Sequence, residues 1–476
     1  MDSKYKRLFK NTFLIMLGGS LSKVVTLLML PFYTQWLSVE DYGVSDVIVV
    51  YASLFAGIST LCVTEGLFLF SKGANFEKQK KYFSSSVFFT LILLVILAFI
   101  FYIVHWFSTR NESENLFTTY IGFIYAIVVT TFFQTLTQQF ACSINAMTVY
   151  SFTGIVYSIT LAATAFMFVP QYGISGYVYS MILANVIAIC YTFFATCSYR
   201  YLSIHCIKLS SYQELIRYSI PLIPNALMFW IVSSVNRPFL ESFVGVAAIG
   251  LLAFANKFPA VLSLVFNYFA QSWQVSVCEE YRNRDFVPFF NRIMKSVYFL
   301  LVLLACVITI CSRQILYVIT SPDFYDAAIY IGPLCFGIVL SSMSGMMGGI
   351  FGVNKKSKYF FYTSIIGASS SLLMNFCLIP LFGLWGAVFA SILSYLSICV
   401  ARLFLVRKFV KIYDIDYYLV MMACFSLVAL TNYLLVNFWL NLLVLIVIFI
   451  LLMVKKDIRI GVVRVSHIAF RKILQK

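Results

Sequence analysis

Runs of about twenty apolar residues, each long enough to cross a bilayer as a helix, recur from one end of this chain to the other. We place fourteen spans at 11–36, 43–70, 83–107, 117–140, 150–170, 174–199, 214–240, 244–277, 292–319, 328–352, 358–381, 384–409, 418–436 and 438–454. The polar connections are short, which leaves no room for a large water-soluble domain. Hydrophobic residues make up 62% of the 476 positions and charged residues 11%, against about 25% charged in a soluble domain. In hydrocarbon every backbone N–H and C=O must be satisfied within the segment, so these runs must be helices. The expected fold class is an all-α polytopic membrane protein.

Charge gives the orientation. Of the 34 Lys and Arg residues, 29 fall in alternate connections: the start, then around 72–81, 200–217, 282–295, 355–358 and 402–411, then the tail after 454. Arg402 is counted with the penultimate group, whereas Arg110 and Arg313 lie in connections on the other face. The excess of positive charge marks the cytoplasmic side, so both termini are expected there, with the first apolar run retained as a span. The net charge of +16 is then an orientation signal and an attraction for anionic lipid, not a nucleic-acid footprint. The twelve Cys lie mostly in or beside apolar runs without metal-ligand spacing, and the three His are scattered. Neither a disulfide framework nor a metal site is expected.

An internal repeat organises the chain. Phe168-Val169-Pro170-Gln171-Tyr172-Gly173-Ile174-Ser175-Gly176 recurs as Leu378-Ile379-Pro380-Leu381-Phe382-Gly383-Leu384-Trp385-Gly386, a shift of 210 residues. Nearer the front of each copy, a shift of 207 carries Pro31 onto Pro238 and Gly43 onto Gly250. Apolar matches come easily in membrane segments, but matched Pro and Gly do not. Six helices per copy make both cross in the same sense, a known transporter arrangement with the site between the halves. We therefore expect two six-helix lobes, 1–207 and 208–411, around a central cavity, followed by an appended helix pair and basic tail over 412–476. One chain supplies both lobes, so a monomer is expected to suffice.

A few charges depart from the apolar pattern, and from the repeat: Lys23 maps onto Trp230, and Lys257 maps back onto Val50. Lys23 lies ~18 Å along its span and Lys257 ~20 Å along its own, too deep to snorkel with ease. An ionised side chain at that depth faces a wet cavity or a partner. With Arg237, which precedes Pro238, these cations could grip a phosphate, Arg by bidentate contacts and Lys as a point charge. Glu65 and Asp46 are candidates for an ion pair or for proton or sodium coupling, and the plainest pairing is Glu65 with Lys23. Pro31 should bend its span and is either a hinge or a fixed kink. Gln134, Gln138 and Gln139 in the fourth span, and Asn256, Asn267, Gln271 and Gln274 in the eighth, are candidate cavity-facing amides. The competing role for each is an interhelical hydrogen bond. No P-loop, HExxH or GxSxG element is present, so no enzyme and no resident cofactor is expected.

Gly18-Gly19-Ser20-Leu21-Ser22-Lys23, Leu30-Pro31-Phe32-Tyr33 and Leu37-Ser38-Val39-Glu40-Asp41-Tyr42-Gly43 resemble the opening of polysaccharide-unit flippases of the Wzx type. Pro221-Leu222-Ile223-Pro224-Asn225, with Trp230 and Asn236-Arg237, resembles the start of their second half. Ile379-Pro380-x-x-Gly383-x-x-Gly386-Ala387 matches a further recurring element, and the similarity runs over essentially the whole chain. The resemblance implies membership of the multidrug/oligosaccharidyl-lipid/polysaccharide (MOP) exporter superfamily. It also implies movement of an undecaprenyl-diphosphate-linked sugar unit across the bacterial inner membrane, with cavity cations holding the diphosphate. Such units serve O-antigen, capsule or exopolysaccharide assembly. Where family members often carry Asp before the Arg of the seventh span, this chain has Asn236, which removes the neighbouring carboxylate. Two rivals stand beside this expectation: a multidrug or cation exporter of the same superfamily, which would want an acidic cavity, and a membrane glycan polymerase or ligase, which usually carries a sizeable outer loop.

Overall fold

The computed structural model describes residues 24–111, 115–354, 356–434, 438–443 and 446, and within them the side chains of all but Gln271, Val275, Glu279 and Ser357. Lys23 and most of the expected last span, 438–454, lie outside the described residues. Among those described there are helices and no strands. Eleven helices are long and apolar enough to cross a membrane, and a shorter apolar helix, Val24–Trp36, precedes them. One of the eleven is the 49-residue helix Met147–Ala195, which turns at Gly173 and holds the two spans expected at 150–170 and 174–199. The all-α polytopic class and the second to thirteenth spans are thus recovered, and of the first span only 24–36 falls within the described residues.

The first spans are α1 (Leu30–Trp36), α2 (Val39–Ser59), α3 (Val63–Ser71), α4 (Phe76–Arg110), α5 (Ile121–Ser143) and α6 (Met147–Ala195). There follow a surface helix α7 (Leu209–Ser219), then α8 (Ile223–Ser234), α9 (Asn236–Phe243) and α10 (Val246–Ala255). The rest of the chain forms α11 (Lys257–Glu280), α12 (Phe286–Ile319), α13 (Ala328–Val353), α14 (Ser357–Phe382), α15 (Leu384–Val406) and α16 (Ile415–Leu434). By packing, the chain forms two compact units. One contains everything to Arg237 together with Gly245–Gly250, and the other contains Pro238–Val244 and everything from Leu251. This boundary lies later than the repeat boundary at 207/208, because α7 packs on α3 and α4 and α8 packs on α2.

Several expected spans are interrupted, each for a local reason. The span expected at 43–70 breaks at Thr60-Leu61-Cys62, where Leu61 (φ +53°) and Cys62 (φ +50°) take the left-handed conformation. That conformation costs a non-glycine residue roughly 1–2 kcal/mol. The expected 244–277 span, seen as Val246–Cys278, is irregular only at Asn256, three residues before Pro259, whose missing N–H removes one helical hydrogen bond, and Asn256 Nδ2 donates to the Leu252 carbonyl (2.9 Å). At the front, the helix Val24–Trp36 is irregular at Met29, two residues before Pro31, whose missing N–H removes one helical hydrogen bond.

The repeat is visible in backbone geometry. Gly173 has φ/ψ of +53°/−126° and Gly383 has +56°/−130°. Three residues on, a Cβ on Gly176 would stand 2.2 Å from the Phe168 carbonyl oxygen, and one on Gly386 would stand 2.2 Å from that of Leu378. The shared Pro-x-x-Gly-x-x-Gly pattern thus encodes one turn twice: Pro weakens the helix, the first Gly takes the reversed dihedrals, and the second lets the returning helix close on carbonyl oxygen.

Within the first unit the core is apolar and dense, with Leu67, Ile124, Val128, Leu136 and Phe140 fully buried. Along α4 the exposed side chains Leu91, Val95, Phe99, Tyr102 and Trp106 recur every three or four residues, the stripe that faces hydrocarbon in a membrane helix.

Candidate functional site: an ion pair, a basic helix start and a neutral cavity

The segment Leu37–Gly43 builds the start of α2. Ser38 caps the helix: the Asp41 N–H donates to Ser38 Oγ (3.1 Å), and the Ser38 N–H donates to Asp41 Oδ2 (3.2 Å), a reciprocal capping box. Leu37 and Tyr42 are buried, and a Cβ on Gly43 would stand 2.4 Å from the Val246 carbonyl oxygen. A Cβ on Gly250 would in turn stand 1.9 Å from the carbonyl oxygen of Val39. Val39 and Val246, like Gly43 and Gly250, are 207 positions apart, so repeat-related residues meet and only glycine fits at the contact. A contact of a different kind lies further along α2. The Trp230 indole N–H donates to the Val50 carbonyl (3.1 Å), and these are the repeat counterparts of Lys23 and Lys257.

This capped start aims Asp46, two turns into α2, at Arg237. Arg237 Nε donates to Asp46 Oδ2 at 3.0 Å, and its Nη1 donates to Asn236 Oδ1 (2.8 Å) and to the Ser233 carbonyl (2.9 Å). Arg237 is only 7% exposed. A guanidinium buried to that extent requires a carboxylate and satisfied donors, and this one has both. The amide at 236 therefore does not leave the arginine without a counter-charge: Asp46, from a different helix, supplies it, and Asn236 becomes an acceptor.

The remaining candidates separate. Glu65 is exposed in the first turn of α3, where a carboxylate is favoured by the helix dipole; its expected partner Lys23 lies outside the described residues. Lys257, in the second unit, is half-buried at the first residue of α11. Ala260, Asn267, Gln274 and Cys278 are exposed along the same helix at spacings that put them and Lys257 on one face. Amides exposed on a membrane helix mark a face turned to water rather than hydrocarbon.

Arg402 corrects the charge count. It lies inside α15, 6% exposed, not in a connection. Its Nε donates to Thr363 Oγ1 (3.2 Å), its Nη1 to the Ser344 carbonyl (2.9 Å), and its guanidinium lies 5.0 Å from the centre of the Phe360 ring. It fastens α13, α14 and α15 together.

The first unit contains a cavity of about 310 Å³, lined on its polar side by Ser53, Thr131, Gln134, Gln138, Tyr157 and Asn185. Of the three glutamines expected to face a cavity, Gln134 and Gln138 do. In the eighth span, Asn256 Nδ2 donates instead to the Leu252 carbonyl one turn back. The sequence offered a cue for the glutamines, two amides at i, i+4 in an apolar run, but none for Asn185 or Tyr157, which arrive from another part of α6. Among the described residues no group of three or more His, Cys, Asp or Glu could hold a metal ion.

An all-helical membrane protein with two repeats, Pro-Gly turns at matched positions and charged or amide groups within its spans has the architecture of a transporter, and solved structures share it. "Lipid II flippase MurJ, inward closed conformation" superposes with a TM-score of 0.72 at 14% identity, over 97% of this chain and 100% of that one. A Vibrio cholerae MATE transporter, VcmN, gives 0.59 at 14% identity, over 85% and 96%. A MOP superfamily transporter from Pyrococcus furiosus, whose title reports "reverse polarity of binding pocket", gives 0.53 at 12%, over 83% and 94%. The chain therefore has the MOP transporter fold. The family model described as "Polysaccharide biosynthesis protein" matches residues 8–273, and the chain belongs to that family. No curated protein sequence matches it significantly.

Proposed function

We propose that this protein is a flippase of the Wzx type, carrying an undecaprenyl-diphosphate-linked oligosaccharide repeat unit from the cytoplasmic to the outer leaflet by alternating access. The observation that carries the reading is one side of α11, where half-buried Lys257 is followed by exposed Asn267 and Gln274. A cation followed by exposed amides suits an anionic headgroup that bears sugars. Membership of a polysaccharide biosynthesis family supports a glycan cargo. Likeness of fold to a lipid flippase over nearly the whole chain supports a lipid-linked one.

In this reading Lys23 and Lys257 hold the diphosphate as point charges. Arg237, already neutralised by Asp46, contributes positive potential only when that pair loosens. Asp46 and Glu65 are the carboxylates available for proton or sodium coupling. The polyprenyl tail stays in lipid throughout.

The test is transport. Purified protein in proteoliposomes should move a fluorescent undecaprenyl-diphosphate saccharide between leaflets. Lys257→Ala should slow that movement by about tenfold or more, the scale of one lost charge-assisted contact. In cells lacking their own copy, the same variant should lower surface polysaccharide. Unchanged transport by the Lys23→Ala, Lys257→Ala double variant would refute the cation assignment. Drug resistance without a glycan defect would favour the exporter, and new glycosidic bonds made by the purified protein would favour the polymerase.

A further inference from the structure

We infer that the neutral cavity inside the first unit is a sugar-binding subsite, which takes one or two uncharged rings of the cargo while cations elsewhere hold its diphosphate. The inference rests on the lipid-linked glycan reading above and adds where the glycan is recognised. The chemistry of the walls selects the ligand. Among the described residues no Asp, Glu, Lys, Arg or His lines the cavity, so the walls they form suit neither a diphosphate nor a drug cation. Its polar groups are amides and hydroxyls, which both donate and accept, as sugar hydroxyls do. Its remaining walls are apolar side chains and a glycine, with the Tyr157 ring available for the apolar face of a pyranose.

The amides are held in place. Gln138 Nε2 donates to the Tyr150 carbonyl (3.0 Å), and Gln138 Oε1 accepts from Gln134 Nε2 (3.0 Å). This chain orients both glutamines and leaves Gln134 Oε1 without a donor among the described residues. Asn185, 4% exposed, donates through Nδ2 to Thr130 Oγ1 and Thr131 Oγ1 (both 3.3 Å), and its Oδ1 likewise has no donor among them. Two fixed acceptors on one side of the cavity are a demand for donors. A site built to bond hydroxyls rejects ligands that lack them, so the cavity can discriminate among glycans.

Size and depth agree. A volume of about 310 Å³ is at the small end of ligand sites and admits a saccharide rather than a whole lipid-linked unit. Gln134 lies ~20 Å along α5 from its first residue and Gln138 ~26 Å. The cavity is therefore toward the end of the helix expected at the cytoplasmic face, from which the cargo is loaded.

The experiment uses full-length protein in detergent and a fixed panel of free sugars: glucose, galactose, rhamnose, N-acetylglucosamine, N-acetylgalactosamine and their disaccharides. Saturation-transfer NMR should detect binding of at least one, weakened about three- to tenfold by Gln134→Leu and by Thr131→Val. Farnesyl diphosphate, which has no sugar, should bind both variants as it binds the parent. Melting temperatures identify a variant that fails to fold, and either variant alone suffices for the comparison. If no sugar in the panel binds, if both folded variants bind as the parent does, or if sodium ions occupy the cavity instead, the subsite is disproved. Sugar binding without any binding of undecaprenyl diphosphate would instead sink the lipid-linked reading and leave the subsite standing.

Discussion

Asp46 and Arg237 lie 191 positions apart, and each is the condition for the other's burial. Removing one partner of such a pair strands a charge, at a cost of about 3–5 kcal/mol, whereas replacing both with apolar groups is often neutral. Asp46→Ala should therefore lower unfolding stability in detergent by about that amount, and adding Arg237→Met should restore most of it. A double variant as unstable as the single would show that Arg237 is anchored by Asn236 and Ser233 rather than by the carboxylate. The sequence marked both residues as candidates, but the pairing was not legible in it, because pairing depends on where two distant helices cross. Arg402 teaches the same lesson more sharply. Its place near Arg407 and Lys408 reads as a basic loop, yet it lies a turn inside the end of α15, and Thr363, Ser344 and the Phe360 ring enclose it.

At the scale of elements, glycine spacing determines how helices meet. The contact of Gly43 with Val246, and of Gly250 with Val39, brings backbone to backbone without side chains between. Gly250→Ala must push its Cβ into a carbonyl oxygen and should destabilise the protein by about 1–3 kcal/mol, the scale of overpacking. Gly57, in α2 with open space at its Cβ position, is the control. There alanine should be neutral or stabilising by up to about 1 kcal/mol through helix propensity. Equal melting temperatures for the parent and Gly250→Ala would show that the helices separate freely at this point. The Pro-x-x-Gly-x-x-Gly turns were readable as turns from sequence. The break at Leu61-Cys62 was not, since neither residue is a Pro or Gly that would announce it.

For the whole molecule, the distribution of charge makes one prediction that the fold alone does not. Both termini should be cytoplasmic, so fluorescent-protein fusions at either end should fluoresce. In a variant cleared of its native cysteines, Asn111→Cys should react with a membrane-impermeant maleimide added outside intact cells. Labelling only after lysis would invert the topology and with it the direction assigned to transport. The twelve spans recovered among the described residues, in the order and at close to the positions read from hydropathy, show why this scale is the most legible. A bilayer-crossing helix must satisfy its own backbone and match a fixed thickness, so its length and composition are written locally.

The apolar runs, the matched Pro and Gly residues and the capping box at Ser38 are local or periodic, and from them the chain alone determined an all-helical membrane fold built from two copies of one unit. Tertiary structure decided which charges are neutralised, which helices break, and that Ser53, Thr131, Gln134, Tyr157 and Asn185 share one neutral cavity. Those outcomes depend on which side chains several helices, distant in sequence, bring within a few ångströms of one another, and spacing along a single helix does not contain that information.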